Sequence, residues 1–342
     1  MICRNPNCEM ENSDGLEFCK YCGRRLRAPK NSSKRPLQLI AGILVLIFLS
    51  VGVKALFASK GKMNITKQPE DIKKNEIVQT TLGGVKGYKF AFARGVSPVR
   101  EIYLNNTDGT IVKLTNSNTL NAYPSISPDG TKVAFERKNG KTFEVYIVGI
   151  NGKGEKKLAE GHAPTWATDG SRIWFYVKSS KNISNVLNSI MTDGADLKIE
   201  STTSDSYFMA RFAPDGSKIA MSKYSVEGWG IYTVRPDLTN RKTLVNSKQK
   251  EDEPTWSPDS TKVAFTGWKD SNADIFVVDS NKNLLNLTNT PAEEYSPTWT
   301  KDGKIIYTKN EAVGPSLYIM DADGLNQKLL LKDAAYGSIS IK

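Results

Sequence analysis

Cys3, Cys8, Cys19 and Cys22 are the side chains in this sequence best suited to chemistry, and all lie within its first 22 residues. Four residues separate the first pair, ten lie between the pairs, and two separate the last pair. Two tight knuckles presenting paired thiolates close a tetrahedral cage, and CRNPNC and CKYCG carry the Asn, Pro and Gly such turns require. Four thiolates leave no open coordination position, so a zinc ion here would be structural. Two disulfides are the competing use, disfavoured for close-spaced pairs in a reducing compartment. Elsewhere reactive groups are scarce. The single histidine, His162, excludes His-rich metal hydrolases, and in GHAPTW it has no nucleophile beside it, so we expect a loop residue. No G-x-S-x-G elbow occurs; Gly95-Val96-Ser97-Pro98 comes nearest and lacks the second glycine. The acidic turn at Asp321 lacks the spacing of a calcium loop, so we expect a structural turn and no calcium. No catalytic residue is expected, and the chain reads as a non-enzyme.

These cysteines need a scaffold. Residues 1–26 resemble the short zinc-ribbon units found at the N-terminus of many bacterial and archaeal proteins, with a first spacing of four where two is commoner. A basic segment, 27–36, follows, and then an uncharged run from Leu37 to Val53. At 1.5 Å per residue that run spans about 25 Å, and snorkelling by Lys54 recruits Ala55 to Ala58 to complete a transmembrane helix over 37–58. A cleavable signal peptide would not start its apolar region after 36 residues holding a metal site. Six basic residues precede the helix closely and four follow it, which favours a cytosolic N-terminus and a single-pass anchor in the cell membrane. Thiolate zinc in the reducing cytosol agrees with that orientation. Residues 59–86 form a polar linker.

Of 342 residues, 47 are Lys or Arg and 36 are Asp or Glu, a net charge of +11. Residues 1–62 hold eleven basic and four acidic side chains, so the body is nearly balanced and offers no broad footprint for nucleic acid. That body is a repeat. YPSISPDGTKVAF at 123 returns as APTWATDGSRIWF, ARFAPDGSKIAM, EPTWSPDSTKVAF and SPTWTKDGKIIY, with Asp129, Asp169, Asp215, Asp259 and Asp302 spaced by 40, 46, 44 and 43 residues. A period near 40 to 45 with two hairpin signals per unit predicts a β-propeller with four strands to the blade. Trp166, Trp256 and Trp299 recur at one position and are expected in the core between blades. Residues 87–115 lack a first strand, and Tyr336 to Ile341 echoes Tyr123 to Ser127. The fold class expected is therefore all-β, a six-bladed propeller over 87–342 whose C-terminal strand closes the first blade and leaves no open edge.

The SPDGTKVAF and VYIV patterns resemble the TolB-like propeller repeat, related to the propellers of tricorn and prolyl-oligopeptidase-type proteases. The resemblance covers 87–342 and implies partner-binding platforms, protease gates and occasional lyases; it also implies that the SPDG aspartates belong to turns. Two functions follow. The first is an extracytoplasmic receptor or scaffold that binds a protein, a peptide or an envelope component without turnover. The alternative is an accessory subunit of a hydrolase or protease whose catalytic residues lie on a partner chain.

In a propeller the first strand of each blade lines the central channel, so the connections leading into it rim one mouth. These connections carry Glu160, Asp205, Glu251 with Asp252 and Glu253, Glu293 with Glu294, and Asp333. An acidic ring at a concave opening would select a cationic protein or peptide, with Trp229 and Trp268 as aromatic contacts on the same face. Solvated loop charge, shared with Lys248, Lys250 and Lys332, is the plainer account of the same residues.

Overall fold

The computed structural model describes residues 84–95, 98–178, 185–201, 206–225, 228–247 and 249–339. The expected zinc ribbon with Cys3, Cys8, Cys19 and Cys22, the basic segment, the apolar helix over 37–58 and most of the linker lie outside the described residues. Among the described residues no helix is long and apolar enough to cross a membrane.

Asp-Gly turns and runs of β-branched and aromatic residues produce 24 strands in six four-stranded antiparallel sheets. The first blade holds β1 (Phe90–Arg94), β2 (Glu101–Asn105) and β3 (Ile111–Lys113). The second runs β4 (Asn121–Ile126), β5 (Lys132–Asn139), β6 (Thr142–Gly149), β7 (Lys156–Glu160), and the third β8 (His162–Trp166), β9 (Arg172–Lys178), β10 (Asn185–Met191), β11 (Lys198–Ile199). The fourth comprises β12 (Ser206–Phe212), β13 (Ile219–Ser225), β14 (Gly228–Val234) and β15 (Lys242–Ser247). The fifth has β16 (Glu251–Trp256), β17 (Lys262–Lys269), β18 (Asn272–Asp279), β19 (Leu284–Asn286), and the sixth β20 (Glu294–Trp299), β21 (Ile305–Glu311), β22 (Gly314–Met320), β23 (Lys328–Leu331). The last strand, β24 (Ala334–Ser338), pairs with β1 through Ala93–Ala335 and Arg94–Ala334 and supplies the first blade's missing innermost strand.

Each innermost strand packs on those of its two neighbours, β24 on β4, β4 on β8, and so on around to β20 on β24, so the ring is closed. Six hydrophobic clusters fill the six spaces between consecutive blades. Both faces of a sheet are thereby buried, and this is why second strands read as unbroken apolar runs such as Val133-Ala134-Phe135. Trp166 and Trp256 lie in these spaces, donating from Nε1 to the carbonyls of Ser125 (2.8 Å) and Arg211 (3.0 Å) in the preceding blade. Outermost strands carry exposed lysines, Lys156, Lys157, Lys198, Lys242 and Lys328, which blunt those edges against pairing with other chains. The motif turns are closed by their own aspartates: Asp129, Asp169, Asp215 and Asp259 each accept the amide two residues on at 2.9 to 3.1 Å.

Candidate functional site

One backbone event repeats at the axis. Tyr123, Ala163, Met209, Glu253, Ser296 and Tyr336, one in each innermost strand, have φ between 44° and 57°. Pairing with the second strand slips there in every blade, which marks a β-bulge. Proline follows in four of the six (Pro124, Pro164, Pro254, Pro297), where a bulge makes its missing N–H harmless. The left-handed residue re-aims its side chain. Tyr123, Met209, Glu253, Ser296 and Tyr336 all line a central cavity of about 50 Å³, together with Arg211, Pro124, Pro254 and Pro297.

The bulge also frees one amide, and the preceding blade captures it. Glu136 Oε2 accepts the Ala163 amide at 2.8 Å, and Thr308 Oγ1 accepts that of Tyr336 at 3.0 Å. The Ser296 amide goes to Thr266 Oγ1 (3.1 Å) and Glu253 Oε2 (2.8 Å). Glu253 Oε1 takes the Ser296 hydroxyl at 2.7 Å and Oε2 the Thr266 hydroxyl at 2.8 Å, so this carboxylate clasps blades five and six. Burial, with the neighbouring Asp252 charge, holds the Glu253 carboxyl above the usual carboxylate range. Burial likewise lowers the Arg211 guanidinium from its ordinary value and pushes the Tyr123 and Tyr336 phenols up.

The acids expected in the connections leading into the blades have divided fates. Glu160 ends β7 and is exposed, Asp333 is exposed, and Asp205 lies outside the described residues. Glu251, Asp252 and Glu294 stand inside β16 and β20 and are buried. The sequence reading placed these acids in the connections leading into the first strands; the strands instead begin at Glu251 and Glu294, before the bulge, and take these side chains in. Asp252 Oδ2 pairs with Lys250 at 2.9 Å, and Glu294 Oε1 with Lys309 at 3.0 Å. Glu293 is half-buried and accepts from Asn310 Nδ2 at 2.8 Å. Glu251 has an oxygen with no partner among the described residues, and burial raises its carboxyl to about 7 against a hydrogen bond from Ser247. Trp229 and Trp268 do come together, with the Lys250 ammonium 5.8 and 5.6 Å from their ring centroids. Trp229 is nonetheless buried, against Phe208 and Tyr224.

His162 stands in β8 rather than in a loop. Its ring stacks on Tyr176 at 5.0 Å and tilts on Phe143 at 4.7 Å, with Nδ1 3.7 Å from Glu136 Oε2. Sequence reasoning missed Arg211, Tyr123 and Tyr336 as channel residues. The recurring proline inside an innermost strand was the available signal, since proline there marks a bulge.

Against known proteins, the sequence family described as PD40, TolB beta propeller domain, matches residues 85–252 and 176–340. The chain is similar to a TolB homolog of Chlorobium luteolum, 25% identical over 197 residues, 57% of this chain and 35% of that protein. It is also similar to the Tol-Pal system protein TolB of Anaeromyxobacter sp. (strain K), 26% identical over 193 residues, 55% of this chain and 43% of that protein. The chain thus spans less than half the length of these two relatives. In fold it resembles TolB from Acinetobacter baumannii (TM-score 0.62, 19% identity, 76% of this chain and 68% of that one). It likewise resembles a chain of the nidogen/laminin complex (TM-score 0.59, 10% identity, 74% of this chain and 99% of that one). With its two matches together reaching from residue 85 to 340, the chain belongs to the TolB beta propeller domain family.

Proposed function

We propose that this protein is a non-enzymatic docking platform, anchored in the cell membrane by one helix over 37–58, whose propeller faces outward. The platform takes a protein or peptide partner at the central channel. On the cytosolic side Cys3, Cys8, Cys19 and Cys22 hold one structural zinc. The observation that carries the docking reading is the channel itself: five of the six bulged strands turn unlike side chains into one concave, solvent-connected cavity of about 50 Å³. The Anaeromyxobacter relative, named for the Tol-Pal system, supports a role within a multi-protein assembly. The acidic series suggested a cationic partner, but such a partner would have to displace Lys250 from Asp252 and Lys309 from Glu294.

The test is capture from crosslinked membranes with the full chain. A protein or peptide held without turnover is the expected result. Recovery of a hydrolase whose activity depends on this propeller would replace the platform reading with that of an accessory subunit. Topology is checked alongside: protease added to intact spheroplasts should digest the propeller and spare an N-terminal tag.

A further inference from the structure

The channel's hydrogen-bonding groups are unequally used. Both oxygens of Glu253 are engaged by Ser296 and Thr266, and Asp252 is held by Lys250 and by the Ser222 hydroxyl at 2.6 Å. The donors are in surplus. A guanidinium offers five N–H donors, and among the described residues that of Arg211 makes one hydrogen bond, from Nη1 to the Ala210 carbonyl at 2.9 Å. Arg211 lines the cavity, and its backbone is fixed because its own carbonyl accepts from Trp256. Beside it, the Tyr123 hydroxyl has no hydrogen-bond partner among the described residues, while its ring is held 4.6 Å from that of Tyr336.

We propose that Arg211, with the Tyr123 hydroxyl, is an anion receptor in the channel wall, and that the ligand reaching it presents a single carboxylate. A half-buried cation with most of its donors unmatched by protein groups gains most from a charge-assisted, two-point partner. A carboxylate matches the planar fork of arginine. A dianion such as phosphate fits less well, because only one cation lines the cavity and both Glu253 and Asp252 stand near enough to feel it. Met209, Pro124, Pro254 and Pro297 give the rest of the wall an apolar character suited to the peptide chain around that carboxylate. The carboxylate is a chain terminus or an Asp or Glu side chain; the two are told apart below.

This inference rests on the channel-docking reading, and the experiment separates the two. Full-length protein in detergent is titrated, by ligand-observed NMR, with acetyl-Ala-Ala-Ala as its free acid and as its amide. Acetyl-Ala-Glu-Ala-amide, acetyl-Ala-Lys-Ala-amide and inorganic phosphate complete the set. One or both carboxylate peptides should bind at least tenfold more tightly than the amide, the Lys peptide or phosphate. Which of them binds identifies the source. Arg211→Gln should cost about tenfold or more, the loss of a charged hydrogen-bonded partner. Arg211→Lys should recover part of it, and Tyr123→Phe should weaken binding a few-fold with the contact between the tilted Tyr123 and Tyr336 rings intact. Amide or Lys peptides binding as well as the acids, or indifference to Arg211→Gln, would overturn the carboxylate and leave channel docking standing. Phosphate binding as tightly as the peptides would reduce the site to a general anion site. Binding by none of the probes would count against both readings.

Discussion

The turn face and the axis of this propeller are built from the same repeat yet use their side chains in opposite ways. At the turns, Asp129, Asp169, Asp215 and Asp259 do one task four times, each accepting the amide two residues on. At the axis the backbone repeats six times, but its left-handed position holds Tyr, Ala, Met, Glu, Ser and Tyr. Local hydrogen bonds satisfy the turn; the neighbouring blade satisfies the axis. Where one residue type does one local job in every blade, the repeat specifies shape. Where geometry repeats and chemistry does not, the repeat is a frame for something particular to this chain.

The largest loss should come from breaking an axial clasp. Glu253→Ala removes an acceptor for the Ser296 amide and for two hydroxyls in a half-buried setting, and should cost on the order of 1 to 3 kcal/mol in denaturant unfolding. A loss as small as that at a turn would erase the contrast between the two regions.

Next comes Glu251, 5% exposed, with its carboxyl raised from 4.5 to about 7 by burial. Its folded form holds a proton that the unfolded chain releases, so the stability this group allows is complete below pH 4.5 and declines as the pH rises through 7. Glu251→Gln should match the parent near pH 4.5 and exceed it at pH 8 by on the order of 3 kcal/mol. Unfolding midpoints measured at both pH values check the sign.

The turns should give the smallest effect. Asp129→Asn should cost less than about 1 kcal/mol at neutral pH, because the site is exposed and its bonds are local. Hydrogen bonds from Ser127 and the Thr131 amide hold the Asp129 carboxyl below its ordinary 3.8, so its contribution is present above that pH and lost as pH falls through the folded value. Parent and variant should therefore converge in acid, where Glu251 and its variant also agree. At the N-terminus, Cys19→Ser should abolish binding of one zinc per chain, measured by metal analysis of the full-length protein.

This division explains what the sequence made legible. Asp-Gly turns, β-branched second strands and the echo of Tyr123-Pro124-Ser125 in Tyr336-Gly337-Ser338 reveal blades and closing strand, because these signals are local. The bulge hides, because its left-handed residue is filled by five different types and only the following proline betrays it. The fate of the acids hides for another reason. Glu251, Asp252 and Glu294 look alike in sequence; only the fold turns Lys250 onto Asp252 instead of its neighbour Glu251, brings Lys309 to Glu294, and leaves Glu251 with no ion pair among the described residues. Arg211 was invisible because its spare donors are a property of the cavity, not of its neighbours in the chain.

That the axis, and not the turn face, is where this protein meets its partner can be tested with one photocrosslinking residue moved between two positions. Placed at Met209 in the full-length protein it lines the channel, and at Thr131 it stands among the motif turns. Capture of a discrete partner from Met209, with little from Thr131, is the predicted result. Capture from Thr131 and none from Met209 would contradict the account.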